Sequence, residues 1–337
     1  LLLYCRTLRD CSRTAGRFSS VAVKELLSGG LLWEEGSLWS ADTVRAVEIE
    51  TTTQCNWRCA YCPSHEAQRR PQVMPLLLFD RVLKRIAEYP GIRQVTLHYF
   101  NEPTLDPFFD QRVEHIGRQG LRLLLFTNGS GLSRERLEGL WRTGIVERIY
   151  FTFPSADEGQ FDRLTGTKGA MGHSAGMIRA AIEQGFDVRL SVPGTPEGKR
   201  ERVRAVCELF SLPRAKIAPW ETFDRAGRLR NPPYCRHTCL DRPLLYGCGH
   251  ILRRLYVDVE GELLLCDQDF EKTARFGSVC DSSFGELLNA SRAQAYRRWI
   301  FGGEEAPKPL LCRRCQRMQA AQRQQAKEAA ALALPEG

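Results

Sequence analysis

Three cysteines fall within eight residues, Cys55-Asn56-Trp57-Arg58-Cys59-Ala60-Tyr61-Cys62, with the spacing C-x3-C-x2-C. Thiolates are soft ligands suited to zinc or iron–sulfur clusters, and a structural zinc wants four protein ligands where this loop offers three. Half a zinc site or a chance grouping of cysteines fits the spacing as well. A four-iron, four-sulfur cluster held by three cysteines differs from both: it keeps one iron without a protein ligand, where a small molecule can chelate it and take an electron from it.

A second set of thiols lies toward the other end. Cys248 and Cys266 flank Leu252 to Leu265, whose alternation around Glu260-Gly261 reads as a β-hairpin, and Cys312-Arg313-Arg314-Cys315 follows a helix expected over roughly Ser283 to Trp299. Four thiols from a hairpin and a C-x-x-C knuckle can close a tetrahedral zinc site or saturate a second cluster. Cys207 lies on the apolar face of a helix with Val203, Val206 and Phe210, and reads as core. Cys5 and Cys11 receive no role.

The chain is long enough to place these loops on a large scaffold. With 337 residues, 43% of them hydrophobic and 9% aromatic, it buries the core of one big or two modest domains. Thirteen cysteines in clusters within a long chain point to a reducing cytoplasm, since disulfide frameworks are typically short chains with even counts. The net charge of +8 is spread and interleaved with acids, so nucleic acid is permitted as a partner and not indicated. No apolar run approaches the roughly 20 residues that span a bilayer. Arg6, Arg9, Arg13 and Arg17 give residues 1–40 the look of a transit peptide. Because the numbering opens at Leu1, a trimmed N-terminus is the simpler expectation.

From Val47 onward apolar strand-like runs alternate with amphipathic helices, the pattern of a parallel sheet with helical crossovers. Strands are expected at Val47–Thr53, Gln94–Phe100, Leu121–Phe126, Arg148–Phe153, Asp187–Val192 and Lys216–Phe223. Phe79, Val82, Leu83 and Ile86 recur at helical spacing, and Phe108–Gln119 forms the next helix. Ser133 caps a third, stopped by Gly144, and Ser174 is expected to cap a fourth, ending at Gly185. Residues 316–337 read as a frayed helix without chemistry. The polar stretch Arg228–Pro233 marks a boundary. The division is then 1–45 extension, 46–227 strand–helix units, 228–318 cysteine-bearing unit and 319–337 tail.

The loop Cys55, Cys59, Cys62, with the aromatic Tyr61 before its third cysteine, resembles the radical S-adenosylmethionine (SAM) superfamily. The second set, C-x12-G-x4-C followed by C-x2-C, resembles the auxiliary-cluster extensions of that family called SPASM and, when shortened, twitch. Further cysteines of the full SPASM pattern are missing here, so one auxiliary cluster is expected. The resemblance covers about residues 46 to 318 and is fullest to an aminocyclitol-oxidising member. It implies an α/β fold, a partial (β/α)6 barrel followed by a small α+β twitch/SPASM-like domain. It also implies SAM and two 4Fe-4S clusters, one on Cys55, Cys59 and Cys62 and one on Cys248, Cys266, Cys312 and Cys315.

Within that resemblance Asn101-Glu102-Pro103 stands where the family has Gly-Glu-Pro, a segment that holds the amino group of SAM largely through its backbone. Thr152, Ser155 and Ser191 stand where relatives place polar contacts to the ribose and carboxylate. Arg225, in Asp224-Arg225-Ala226-Gly227, matches a substrate-side arginine, and a loop arginine is otherwise a solvated surface group. Cys280, Cys235 or Cys239 can return a hydrogen atom as family epimerases do, or be spare thiols. The implied activity is an oxidoreductase in which a 5'-deoxyadenosyl radical removes a substrate hydrogen, followed by alcohol dehydrogenation or thiol-quenched epimerisation. The substrate class is a small polyol, aminosugar or aminocyclitol, and the electron donor flavodoxin- or ferredoxin-like. A maturase of a ribosomally made precursor peptide is the alternative within enzymes, and a zinc-stabilised nucleic-acid-binding protein the alternative from another class.

Overall fold

The computed structural model describes residues 41–65, 69–194, 198–229, 241, 243–245 and 247–318. Cys5, Cys11, Cys235, Cys239, most of the Arg228–Pro233 stretch and the tail beyond residue 318 lie outside the described residues.

Period-two alternation explains the central sheet. Val47, Ile49, Leu123, Leu125, Ile149, Phe151 and Leu190 are fully buried, while the residues between them include Glu48, Arg148, Tyr150 and Arg189. One face therefore packs under helices and the other is polar. β1 (Ala46–Ile49), β2 (Gln94–Thr96), β3 (Arg122–Thr127), β4 (Val146–Thr152), β5 (Val188–Gly194) and β6 (Ile217–Glu221) pair in sequence, all parallel. The strands run on without a break on the far side of β1. There β7 (Arg254–Val257) pairs parallel to β1, with Glu48 opposite Tyr256, and β8 (Glu262–Leu264) and β9 (Arg275–Ser278) follow antiparallel. The expected hairpin is β7–β8, and it turns at Gly261, whose φ is 84°. The order β6-β5-β4-β3-β2-β1-β7-β8-β9 leaves β6 and β9 at opposite ends, so the barrel is partial.

Helix α1 (Leu76–Ala87) buries the expected Phe79, Val82, Leu83 and Ile86. After α2 (Phe109–Arg118), α3 (Arg134–Thr143) begins where Ser133 accepts from Arg136 N and ends at Gly144, with φ of 65°. The next crossover differs from expectation. It holds two helices, α4 (Glu158–Thr165) and α5 (Ala170–Glu183), and Ser174 is buried inside α5 with its hydroxyl donating to Asn128 O at 3.0 Å. The caps are Asp157 for α4 and Gly169 for α5. Helix α6 (Lys199–Phe210) buries Val203, Val206 and Phe210, with Cys207 half-buried on the same core. The single helix expected over Ser283–Trp299 is α7 (Phe284–Asn289) and α8 (Ser291–Ile300), because Ala290 is extended at ψ 152°. No helix among the described residues is long and apolar enough to cross a membrane.

Candidate active site

Cys55, Cys59 and Cys62 lie in the loop that leaves the C-terminal end of β1, where parallel α/β folds gather their chemistry. Helix α4, which the sequence reading missed, holds that loop. Arg58 N and Ala60 N each donate at 2.9 Å to the last carbonyls of α4, Thr165 O and Leu164 O. Trp57 is buried edge-on against Phe161, with centroids 5.4 Å apart. Gly166 ends α4 at φ of 68°, and a Cβ there would stand 2.5 Å from Arg58 O, so only glycine allows this approach. Arg58 Nη1 donates at 2.9 Å to Cys55 O and closes the loop on itself. A cavity of about 180 Å³ lined by Gln54, Cys55, Arg58, Ser64 and Arg69 makes the loop reachable by a small polar molecule.

The donor set fits a cluster. Burial pushes the Cys55 thiol up to about 12, Glu102 adding to it, and pushes Cys59 well above its ordinary value, Cys55 and Cys62 adding to that. The three sulfurs thus share one neighbourhood in which Cys55 and Cys59 resist ionisation alone, and a bound cationic group is what makes such thiols thiolate ligands. Among the described residues no three His, Cys, Asp or Glu side chains converge closely enough to hold a single metal ion, whereas a cluster takes its thiolates on separate irons.

Asn101-Glu102-Pro103 runs alongside. Asn101 Oδ1 accepts from Tyr99 N at 2.7 Å and its Nδ2 donates to Leu97 O at 3.1 Å. The asparagine thereby builds this turn with its own side chain. Glu102 is 2% exposed, and its carboxylate accepts from Thr104 N (3.1 Å), Thr104 Oγ1, Thr127 Oγ1 and Asn128 N (2.6 Å each). Burial raises its pKa against the pull of those bonds. The side chain is therefore consumed in tying the end of β2 to the end of β3, while Glu102 N donates to Gln54 O at 2.8 Å beside the cysteine loop. Asn56 receives Asn128 Nδ2 at 3.1 Å and Ser130 Oγ at 3.0 Å. Thr127, Asn128 and Ser130 are site-building residues that the sequence reading did not single out; their polar side chains at a strand's C-terminal end were the available signal.

Thr152 and Ser191 sit opposite each other on β4 and β5 at the same end of the sheet. Ser155 is spent locally, donating to Gln160 Oε1 at 2.7 Å and accepting from Asp157 N at 3.0 Å at the start of α4.

The second thiol set is brought together. Cys266, Cys312 and Cys315 are each 7% exposed and Cys248 is half-buried. Burial raises Cys312 well above its ordinary value, with Cys315 and Cys248 next in effect, and pushes Cys315 up to about 11. Asp267 stitches the segments. It receives Arg317 and His250 Nε2 (2.7 and 3.3 Å to Oδ1) and Arg225 Nη1 (3.3 Å to Oδ2). His250 is two residues beyond Cys248 and Arg317 two beyond Cys315, so one carboxylate binds three thiol-bearing segments to the loop after β6. Burial pushes Asp267 up, but Arg317, His250 and Arg225 outweigh it and hold the carboxyl well below the carboxylate range. The set also docks on the end of β2. Tyr99 Oη donates to Cys266 O at 3.0 Å and Asp269 O at 2.6 Å, and Phe100 meets Phe270 edge-on at 4.9 Å.

Arg225 is not a solvated loop arginine. Its guanidinium lies over Phe100, 5.3 Å from the centroid, and Arg225 and Ala226 are both left-handed, at φ of 51° and 56°. Cys280 lies in the turn after β9, where Arg85 of α1 donates through Nε to Val279 O at 3.1 Å. Cys280 is half-buried, and its backbone N donates to Ser278 Oγ at 3.1 Å.

Comparison with known proteins extends these observations. The family model for the radical SAM superfamily matches residues 49–210, and that for an iron–sulfur cluster-binding domain, SPASM, matches residues 248–316. A SAM-dependent 2-deoxy-scyllo-inosamine dehydrogenase of Niallia circulans is 22% identical over 277 residues, 80% of this chain and 91% of that one. A PqqA peptide cyclase of Bradyrhizobium diazoefficiens is 32% identical over 127 residues, and the match spans only 32% of its length. Among solved structures, BtrN in complex with AdoMet and 2-DOIA superposes with a TM-score of 0.51 at 17% identity, over 77% of this chain and 88% of that one. Streptococcus suis SuiB bound to precursor peptide SuiA superposes with 0.62 at 12% identity, over 82% and 71%. Both share the fold. A zinc-stapled nucleic-acid binder is set aside: the chain belongs to the radical SAM superfamily, as an enzyme that uses SAM, a SAM-binding 4Fe-4S cluster and an auxiliary cluster in a SPASM domain.

Proposed function

We propose that this enzyme is an oxidoreductase that converts an alcohol of a small polyol, aminosugar or aminocyclitol to a ketone. One observation carries the choice: the aminocyclitol dehydrogenase is matched over 91% of its length, the peptide cyclase over 32%. Cys55, Cys59 and Cys62 would hold the SAM-binding cluster, and Cys248, Cys266, Cys312 and Cys315 the auxiliary one. When bound, these groups supply a 5'-deoxyadenosyl radical that removes a substrate hydrogen and an acceptor for the second electron, the first electron coming from a flavodoxin- or ferredoxin-like donor.

The protein's part is to position and to exclude water. Backbone groups of Asn101-Glu102-Pro103 would take the amino group of SAM, held in place by the four bonds to Glu102. Thr152 and Ser191 offer polar contacts farther along the strand ends, and Ser155 contributes by shaping the start of α4. Arg225, oriented by Asp267 and Phe100, would face the substrate from the auxiliary side. Its fixed guanidinium suits an oxygen on which negative charge develops.

The test is anaerobic turnover with SAM, a chemical reductant and 2-deoxy-scyllo-inosamine alongside other cyclitols. A ketone formed with 5'-deoxyadenosine supports the reading. An inverted alcohol carrying solvent deuterium replaces it with epimerisation, and a crosslinked peptide, with cyclitols inert, replaces it with peptide maturation.

A further inference from the structure

The polar face of the barrel carries an acid that no cluster or SAM contact uses. Glu48, in the middle of β1, has a side chain 5% exposed, and its Oε1 accepts from Arg254 Nη1 at 2.6 Å. Oε2 makes no hydrogen bond with a described residue; it faces His98 Nε2 at 3.5 Å and is not among the sealed, unpartnered atoms, so it borders accessible space. His98 Nε2 at 3.5 Å is too distant to make a good hydrogen bond, and a buried carboxylate oxygen without a close donor is costly unless something supplies one.

His98 is fixed as the other half of this edge. Its ring stacks on Phe126 at 4.4 Å, and Phe126 stacks on Tyr150 at 4.5 Å, forming a half-buried aromatic wall from the loop after β2 across β3 and β4. Its Nδ1 lies 3.0 Å from Thr96 Oγ1. With the Thr96 hydroxyl donating to Nδ1, Nε2 carries the proton and faces Glu48. Burial first, then Arg254 and Arg225, lowers His98 to about 4 and keeps it neutral, which preserves this arrangement at physiological pH. The side chains of His98 and Arg254 nonetheless keep 25% and 33% exposure, so this edge is not sealed by the protein.

We propose that the Glu48–His98 edge recognises a ligand hydroxyl, which donates to Glu48 Oε2 and accepts from His98 Nε2–H, and that the barrel thereby selects a small polyol or aminocyclitol. An acceptor and a donor side by side match a group that is both, and the Phe126–Tyr150 wall suits the flat C–H face of a ring. This rests on the substrate class proposed above and assigns it to named residues.

The edge also has a pH signature. Burial pushes Glu48 up to about 6, Arg254 opposing it. The other groups facing Glu48 are His98 just after β2, Tyr256 of β7, and His250 and Asp267 of the flanking loops. Ligand affinity should fall as the pH drops through about 6 and Glu48 takes a proton.

Calorimetric titration of the anaerobic, SAM-loaded holoenzyme with 2-deoxystreptamine, myo-inositol and a serine-containing hexapeptide tests the proposal. A cyclitol should bind, and Glu48→Gln should weaken it roughly tenfold or more, as loss of a charged hydrogen bond does. His98→Phe, which keeps the ring stack and removes the donor, should weaken it as well, and wild-type affinity should decline below pH about 6. Equal affinity in either variant, binding of the peptide with neither cyclitol, or binding of no probe overturns the proposal. If Glu48→Gln does not fold, His98→Phe and the wild-type pH series decide. Iron content and 5'-deoxyadenosine formation without cyclitol separate the two readings: SAM cleavage with cyclitols ignored refutes the edge alone, and cyclitol binding without iron refutes the enzyme reading alone.

Discussion

Arg317 and Asp267 form a two-point ion pair, with Nη1 2.7 Å from Oδ1 and Nη2 3.1 Å from Oδ2. It locks the segment after Cys315 to the residue after Cys266. Both side chains are about three-quarters buried, and breaking such a pair from one side costs about 3–5 kcal/mol. Asp267→Asn should therefore lower iron retained at the second thiol set while leaving that of the first loop, read by iron content and by the separate paramagnetic signals of the two clusters. Equal loss from both sets would contradict the local role. Because the folded Asp267 is held well below its unfolded value, its contribution is fully present above pH about 4 and is lost only as the pH falls further.

Glu102→Gln replaces an acceptor of four bonds with a group that must turn an NH2 toward a donor. The cost is about 1–3 kcal/mol for the donor left unpaired, with weaker SAM binding because Gln54 and Asn128 are anchored through the same residue. Urea unfolding and SAM titration check it. Unchanged stability would show that the four bonds are not made in solution.

Gly166→Ala should displace the three-cysteine loop, since the new Cβ meets Arg58 O. Iron content of the first cluster should fall sharply. Gly144→Ala is the control, because it too has positive φ but nothing lies within 4 Å, so it should cost about 1 kcal/mol and leave iron loading intact.

Cys280→Ala should leave iron content, turnover and product stereochemistry unchanged, because Cys280 sits beside Arg85 of helix α1. Loss of an inverted, deuterium-labelled product in this variant would restore a hydrogen-donor role.

Much of this was legible in the chain. The i, i+3, i+4, i+7 set from Phe79 to Ile86 and the Ser133–Gly144 bracket are local signals, and the structure follows them. Helix α4 was hidden because eight residues with one buried stripe, Phe161 and Leu164, give too short a period to read. Ser174 looked like a cap by residue type, but Asp157 and Gly169 do the capping and Ser174 bonds across to Asn128. The parallel pairing of β1 with β7 joins residues about two hundred apart, and no local pattern records it. At the site the thiols announced themselves by spacing. The residues that fix them, Asp267, Tyr99 and Asn128, did not, because their value lies in which distant backbone or cation they meet.

The most direct test of the whole account is iron, acid-labile sulfide and zinc content after anaerobic reconstitution, comparing wild type with the variant in which Cys55, Cys59 and Cys62 are all alanine. The account predicts about eight irons and eight sulfides in the wild type and about four of each in the variant, with SAM cleavage abolished. About two zincs with no iron in the wild type, or iron unchanged in the variant, would contradict it.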